Sequence, residues 1–546
     1  SVFNVGQAQV LIDGIHSIPN GRGGRIASGS NAPLYVSDFF SKGDAQADQD
    51  MFRDRLATAL DLDLAGRVLA SSISSLSSAS SPSSVRSPAS TTTTGRKPPQ
   101  QSAKWENGAW VYDLPGGVLN APGLRDDYYC SLLAYSPTVH CLAVGLGSNV
   151  YFWSEGQGIT PENVTSPFSS HITSLSFSSE DGGKAMLAIG RADGRVTLRE
   201  LCFDADHPSP VSCVAFAPRQ TERQSFRDAM NKTQMELLAV GDEVGQVYLY
   251  AVEWPHEDQR NLHNWHGAMN ILVRLDAHSQ QVCGFAWSTD NSFLASGGND
   301  NCAYIFETRP LLSTHKKPRQ HLRPRNHHPG TLTLTFPQLP SPLPNPTDPS
   351  LSFPILPGSA AKHRIPLSAA IKALAFAPFA PSLLALGAGS NDRGIHFHHA
   401  SSGAKLAAID CAAQVTSLTW SSTRAEIAAT FGFAQPEHRT RVAVYAWPGC
   451  QLLVRLEWPS DDRALWGVAW PGGPEGSGRR AREGAAAWKS RTGREGGLVV
   501  AASDASIKFH EVWSDEPGGR RIAGGNGGVG MLGGGVLEGE MLGERL

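Results

Sequence analysis

The run His278–Phe306, HSQQVCGFAWSTDNSFLASGGNDNCAYIF, reads as three β-strands of one small sheet. Val282, Phe285 and Trp287 open the first strand, Phe293, Leu294 and Ala295 form the second, and Ala303-Tyr304-Ile305-Phe306 the third. Gly297-Gly298 ends the second strand and Asn299-Asp300 turns the chain into the third. Short β-rich runs punctuated by Gly, Asn and Asp are hairpin signals, and about 40–45 residues per four-stranded sheet is the period of a β-propeller blade.

Working outward from this stretch, the same unit recurs seven times. A first-strand pattern (apolar, two residues, apolar, one residue, aromatic) begins at Cys130, Ile172, Val211, Val282, Ile371, Val415 and Leu465. Second strands follow as LAVG at Leu142, LAIG at Leu187, LAVG at Leu238, LASG at Leu294, LALG at Leu384, IAAT at Ile427 and VVAA at Val499. Third strands are VYFW at Val150, VTLR at Val196, VYLY at Val247, AYIF at Ala303, IHFH at Ile395, VAVY at Val442 and IKFH at Ile507. The aromatic anchors Tyr135, Phe177, Phe216, Trp287, Phe376, Trp420 and Trp470 lie one blade apart where spacing is tight, and wider gaps hold insertions. The expected fold is all-β: a seven-bladed WD40-type β-propeller over 116–514, with 116–120 supplying the outer strand of the last blade. Closure removes exposed sheet edges.

The rest of the chain decorates that ring. Residues 1–115 read as a flexible N-terminal arm with too few apolar positions for a core, although Met51, Phe52, Leu56, Ala59, Leu60, Leu64 and Val68 fit a short amphipathic helix over 46–69. The Ser/Thr-rich linker that follows cannot offset its ordering entropy. Its Ser81-Pro82 and Ser87-Pro88 suit proline-directed kinases, or a plain tether. Insertions are expected at 308–365, an extended loop between blades four and five, and at 471–496, a basic loop, with a Gly-rich tail over 515–546. Net charge is −3, which predicts no bulk attraction to nucleic acid or to anionic membrane. Eight cysteines with no CxxC pair point to buried free thiols in a reducing compartment. No apolar run reaches membrane-spanning length and no secretory signal is visible; because the chain starts at Ser1, a longer native N-terminus is expected.

Catalytic signatures are absent: no P-loop, no GxSxG elbow, no HExxH helix and no Gly-rich strand-to-helix fingerprint. His396, His398 and His399 cluster in a third strand, where structural roles outweigh metal binding. The sequence therefore predicts a binding platform, not an enzyme, with no cofactor and no metal.

Several runs carry a more specific signal. VLNAPGLRDDYYCSLLAYS, LAVGLGSNVYFW, HSQQVCGFAWS with LASGGNDN, and AQVTSLTWSS with TFGFAQ resemble, in order, the propeller of the Fizzy and Fizzy-related family from about 116 to 513. Members of that family recruit substrates to the anaphase-promoting complex, a ubiquitin ligase. The arm, with IPNGRGG, SGSNAPLY and LATALDLDLAGRVL, is similar to the fungal meiosis-specific branch.

The resemblance implies a top-face pocket for a Lys-Glu-Asn degron at Asp127, Asn299, Asn301, Ser390, Gln414 and Arg463. A carboxylate suits the lysine ammonium, an arginine the glutamate, and amides or a hydroxyl the asparagine. Taken singly, Asn299 and Asp300 also fit plain turn residues. The resemblance further implies a destruction-box groove between the first and last blades at Val118, Leu119, Asn120 and Pro122. There the family's Asp-Ala-Pro-Glu reads Asn120-Ala121-Pro122-Gly123, so weak discrimination for the degron arginine is expected. A C-box-like ligase-docking segment falls at Ile18, Pro19 and Arg22, without the family's leading Asp-Arg, and the chain ends Glu544-Arg545-Leu546 where the family has Ile-Arg. Implied partners are anaphase-promoting complex subunits and degron-bearing substrates such as cyclins or securin-like proteins, with the protein a monomer inside a larger assembly in nucleus and cytoplasm. The alternative is a general WD40 scaffold in an unrelated complex.

Overall fold

The computed structural model describes residues 10–12, 15–19, 25–27, 33–37, 39, 103–106, 109–112, 117–154, 158–160, 170–199, 203–228, 230–313, 353–470, 497–510 and 512–513. Seven antiparallel sheets form a closed ring. Each sheet runs from an inner strand outward; blade four, for example, is Val282–Trp287, Phe293–Gly298, Cys302–Glu307 and His363–Pro366. Inner strands pack on their neighbours all the way round, and Ala464–Trp470 of blade seven packs on Leu133–Ser136 of blade one. Gly117–Asn120 pairs with Ser506–His510 as the outer strand of blade seven, so the chain closes the ring by lending it an early strand.

The repeated LAxG motif follows from the packing of these sheets. A second strand is covered on both faces by adjacent blades, and Phe293–Gly298 is buried at every position. The final glycine is needed because the next blade comes in too close for a side chain. A Cβ on Gly297 would lie 2.3 Å from the carbonyl oxygen of Ile371, and one on Gly387 2.4 Å from the Val415 side chain.

The aromatic anchors staple neighbouring blades. Trp287 Nε1 donates to the carbonyl of Ala215 at 3.2 Å, and Trp420 Nε1 to that of Ala375 at 3.2 Å. Within the first strands of blades two to six, pairing skips the second residue of the pattern, and in blade seven it skips the first, Leu465. Such a bulge re-aims the side chain it frees. Thr173 Oγ1 thereby reaches the Val211 carbonyl at 2.7 Å, and Ser212 Oγ the Val282 carbonyl at 2.6 Å. Lys372 Nζ crosses farther, to the carbonyls of Cys130 at 2.9 Å and Leu465 at 3.2 Å, tying blade five to blades one and seven.

Two expectations change. The stretch 308–365 is not one extended loop between blades four and five. Thr308–Ser313 is a helix, Ile355–Pro357 adds a parallel strand to the outside of blade three beside Ala268–Asp276, and His363–Pro366 is the fourth strand of blade four. Outer strands are half-solvated, and only Ile365 of HRIP is buried, so no apolar run marks it. The arm is also less free than its composition implies. Leu34–Val36 pairs in parallel with Lys405–Asp410 of blade five, and Ala109–Tyr112 with Leu452–Glu457 of blade six, extended by Ala103–Glu106. Val10–Ile12, Ile15–Pro19 and Arg25–Ala27 form a three-stranded antiparallel sheet. The helix over 46–69, the linker with Ser81 and Ser87, the loop 471–496 and the tail lie outside the described residues.

Candidate functional site

The site is built where turns and blade-to-blade links of the ring converge. The second-to-third-strand turns are held by an aspartate that caps backbone amides. Asp300 accepts from Cys302 N at 3.2 Å and Ser279 N at 3.1 Å, and Asp392 from Gly394 N at 3.2 Å. In blade four the cap is locked by His278, whose Nδ1 meets Asp300 at 2.9 Å and Nε2 the Ser296 hydroxyl at 2.8 Å. Asp300 is thus a structural residue, and the hydrogen bonds it accepts from His278 and the amides hold its carboxyl below the usual range despite burial. The neighbouring Asn299 is left to face the mouth.

Residues 125–130, which link the outer strand of blade seven to the inner strand of blade one, supply the other half. Asp127 Oδ1 accepts from Tyr129 N at 2.9 Å, and its second oxygen lies 3.5 Å from Arg125. Tyr129 then donates its hydroxyl to Asn299 Oδ1 at 2.9 Å, joining blade one to blade four. Asn299 Nδ2 is in turn held by Gln280 Oε1 at 3.1 Å. Burial, and after it the neighbouring Cys283 and Asp127, raise the Tyr129 hydroxyl above its ordinary pKa, so it stays a donor.

Blades six and seven complete the mouth. Arg463 forms an ion pair with Asp126 and lays its guanidinium over the Phe433 ring at 4.3 Å. Phe433 is 56% exposed, an aromatic platform in the open. Its backbone N–H points to Gln414 Oε1 at 3.5 Å, so Phe433 stands between Gln414 on the inner strand of blade six and Arg463 on the link from blade six to blade seven. A guanidinium has five donors, so the Asp126 pair leaves Arg463 able to take a second anion.

Below this face lies Lys372, fully buried, its ammonium 4.8 Å from the Trp466 ring centroid and 5.3 Å from that of Tyr128. Burial pulls its pKa down to about 8, against weaker opposing pulls from Cys130 and Asp127.

Of the six positions read from sequence for the top face, contacts join Asp127 to Asn299 through Tyr129, and Gln414 to Arg463 through Phe433. Asn301 and Ser390 sit exposed on turns and hydrogen-bond to neither pair among the described residues. Asn301 adopts φ +62° and its carbonyl accepts from Leu367 N, which is turn work. Tyr129, Asp126, Gln280 and Phe433 were not singled out, although RDDYY and TFGFAQ contain three of them.

On the flank, strand alternation divides the second set. Val118 is 52% exposed and Asn120 and Pro122 are open, while Leu119 turns inward against the core shared by blades seven and one. Gly123 has φ +89°, a conformation in which a larger residue is strained. Ile18 and Pro19 lie on the central strand of the N-terminal sheet, facing Ile26 and Arg25 in register; Arg22 is outside the described residues. The histidines of blade five make local bonds: His396 to Asp392 at 2.6 Å, His399 to Ser402 at 2.8 Å, and buried His398 toward the Gly403 carbonyl.

A closed ring with a polar mouth assembled from separate blades defines a WD-repeat propeller, and the family model "WD domain, G-beta repeat" matches residues 269–307. Meiotic fizzy-related protein 2 of Schizosaccharomyces pombe is 31% identical over 420 residues, covering 74% of this chain and 64% of that protein. Meiosis-specific APC/C activator protein AMA1 of Saccharomyces cerevisiae is 27% identical over 419 residues, 74% of this chain and 58% of the relative. An uncharacterized WD repeat-containing protein of Schizosaccharomyces pombe is 31% identical over 349 residues, 63% and 51%. Over about three quarters of its length the chain is thus similar to fizzy-related and APC/C-activator WD-repeat proteins. It spans between about half and two thirds of the length of these curated relatives.

Proposed function

We propose that this protein recruits substrates to the anaphase-promoting complex, holding a degron on its propeller while its N-terminal arm engages the ligase. The observation that carries the reading is the mouth itself. Asp127 and Asn299 are joined through Tyr129, and Asp126 and Phe433 through Arg463, although the chain places partners up to 337 residues apart. That set offers a carboxylate for a lysine, a guanidinium for a glutamate and an amide for an asparagine, which is the chemistry of a Lys-Glu-Asn degron. Val118 and Pro122 on the flank offer an apolar rest for the leucine of a destruction box. The protein performs no ubiquitin transfer in this reading. It raises the local concentration of substrate lysines near the ligase, so single contacts of about −8 kcal/mol, on the order of micromolar, suffice when two are linked.

Reconstituted ubiquitination tests this: purified anaphase-promoting complex, a substrate carrying a Lys-Glu-Asn motif, and the full chain as sole activator. Motif-dependent ubiquitin chains are the expected result. Failure to bind the motif at all, with stable co-purification of unrelated partners, would favour a general scaffold instead.

A further inference from the structure

A short piece of the arm is bound to the ring in a way that neither the degron sites nor the docking motif calls for. Leu34, Tyr35 and Val36 lie in parallel register beside Ala408, Ile409 and Asp410 on the outer edge of blade five. Two backbone hydrogen bonds close the ends: Ala408 N to the Pro33 carbonyl and Ser37 N to the Asp410 carbonyl, both 2.9 Å. The chain then crosses to blade six. Ser37, 3% exposed, meets the Tyr445 hydroxyl at 2.6 Å, and Phe39, 8% exposed, packs edge-on against Phe431 and His438 with ring centroids 6.0 and 4.7 Å away. Phe39 belongs to the same apolar core as Ile409, Phe431 and Tyr445. Strand pairing supplies affinity and buried side chains supply specificity, the two components of recognition by strand addition.

We propose that residues 33–39 are an anchor that clips the arm into the cleft between blades five and six, so that the docking segment works on a short leash. This rests on reading the arm as the ligase-docking element. The sheet carrying Ile18 and Pro19 ends at Ala27, six residues before Pro33, and six residues span at most about 20 Å. Without the anchor, the next strand after Ala27 that belongs to a ring sheet starts at Ala103, 76 residues on, a reach of up to about 260 Å. Effective concentration falls roughly as the −3/2 power of linker length, so losing the anchor weakens two-point binding by up to roughly 40-fold. The long linker is thereby bypassed in setting the distance between docking segment and degron face.

The test uses the full chain and Phe39→Asp, which puts a charge into the apolar cleft. Hydrogen exchange reads the anchor directly: the ring-facing amides of this strand, among them that of Ser37, which donates to Asp410, should be protected in the wild type and released in the variant, with ring strands unchanged. Free exchange of these amides in the wild type would overturn the anchor whatever the ligase does. With ligase and degron-bearing substrate, Phe39→Asp should weaken the ternary assembly by roughly 5- to 40-fold. Deleting residues 41–100 in that background shortens the leash again and should restore most of the loss, a rescue that a merely structural Phe39 would not show. Equal assembly by wild type and Phe39→Asp would overturn the leash. If the wild type fails to bind ligase while its anchor amides are protected, the anchor stands and the docking reading falls.

Discussion

At the mouth of the ring, four blades contribute to one polar surface, whereas the flank groove between blades seven and one depends on a single strand, Gly117–Asn120, and the turn after it. The mouth fixes its charges by cross-ring contacts: Tyr129 holds Asn299, and Asp126 and Phe433 hold Arg463. The flank shows Val118, Asn120 and Pro122 outward and carries no acid at 120 or 123. Preorganised charge gives large, residue-specific effects, and an exposed apolar strip gives small, distributed ones. The two sites should therefore respond differently to substitution, and alike only when the scaffold itself fails.

Scaffold failure is the largest expected effect. Burial depresses His207, His398 and His438 to a pKa of about 4 and His510 to about 3, so each is neutral in the folded ring. Unfolded, they titrate near 6.5 and bind more protons than the folded state does between that pH and about 4. Stability is thus full above pH 6.5 and lost as pH falls, by about 2 kcal/mol per histidine at pH 5. Urea midpoints should drop across this window, and both degron peptides should lose binding together. A flat midpoint from pH 6.5 to 5 would mean these rings are not held neutral.

At neutral pH the sites should separate. Arg463→Glu sets two carboxylates against each other at Asp126 and removes the anion partner, costing about 2–3 kcal/mol, or roughly 30- to 150-fold, for a Lys-Glu-Asn peptide. A destruction-box peptide should bind within twofold of wild type. Fluorescence anisotropy with both peptides decides it; an unchanged Lys-Glu-Asn affinity would remove Arg463 from the pocket. Phe433→Ala should follow at about 1 kcal/mol, because a ring half open to solvent supports the guanidinium only partly. The same assay reads that loss, which should again spare the destruction-box peptide.

How much of this was legible in the sequence depends on which strand of a blade carries the signal. Inner and second strands are buried on both faces and announce themselves, the inner ones as apolar patterns ending in an aromatic, as at Val282–Trp287, and the second ones as apolar runs ending in glycine, as at Leu294–Gly297 and Leu384–Gly387. Outer strands such as His363–Pro366, and the added strands Leu34–Val36 and Ile355–Pro357, bury few side chains and have no such pattern. Their places are fixed by backbone pairing to distant partners, which periodicity does not encode. The candidate site was read by resemblance and not by pattern. Asp127 and Arg463 are positions the resemblance implies, whereas Tyr129 matters because its hydroxyl reaches a residue 170 positions away, and Phe433 because a buried-looking aromatic ends up 56% exposed.

The smallest expected effect is on the flank. With Asn120 and Gly123 where an acid would attract the degron arginine, replacing that arginine by alanine in a destruction-box peptide should cost less than about 0.7 kcal/mol, near threefold, the range of a solvent-screened contact. A hundredfold loss would show an acid elsewhere in the groove. Asn120→Asp is the more informative change, since Asn120 is exposed at the end of a strand paired with Ser506 and an aspartate fits there without repacking. It should raise the arginine's contribution to about 1 kcal/mol and make it fall with added salt. Gly123→Glu would not serve, because at φ +89° a glutamate adds backbone strain that would mask any electrostatic gain. If Asn120→Asp confers salt-sensitive arginine preference while leaving the Lys-Glu-Asn peptide untouched, the flank differs from the mouth by missing charge alone; if it confers none, the geometry of the strand also differs from that of an arginine site.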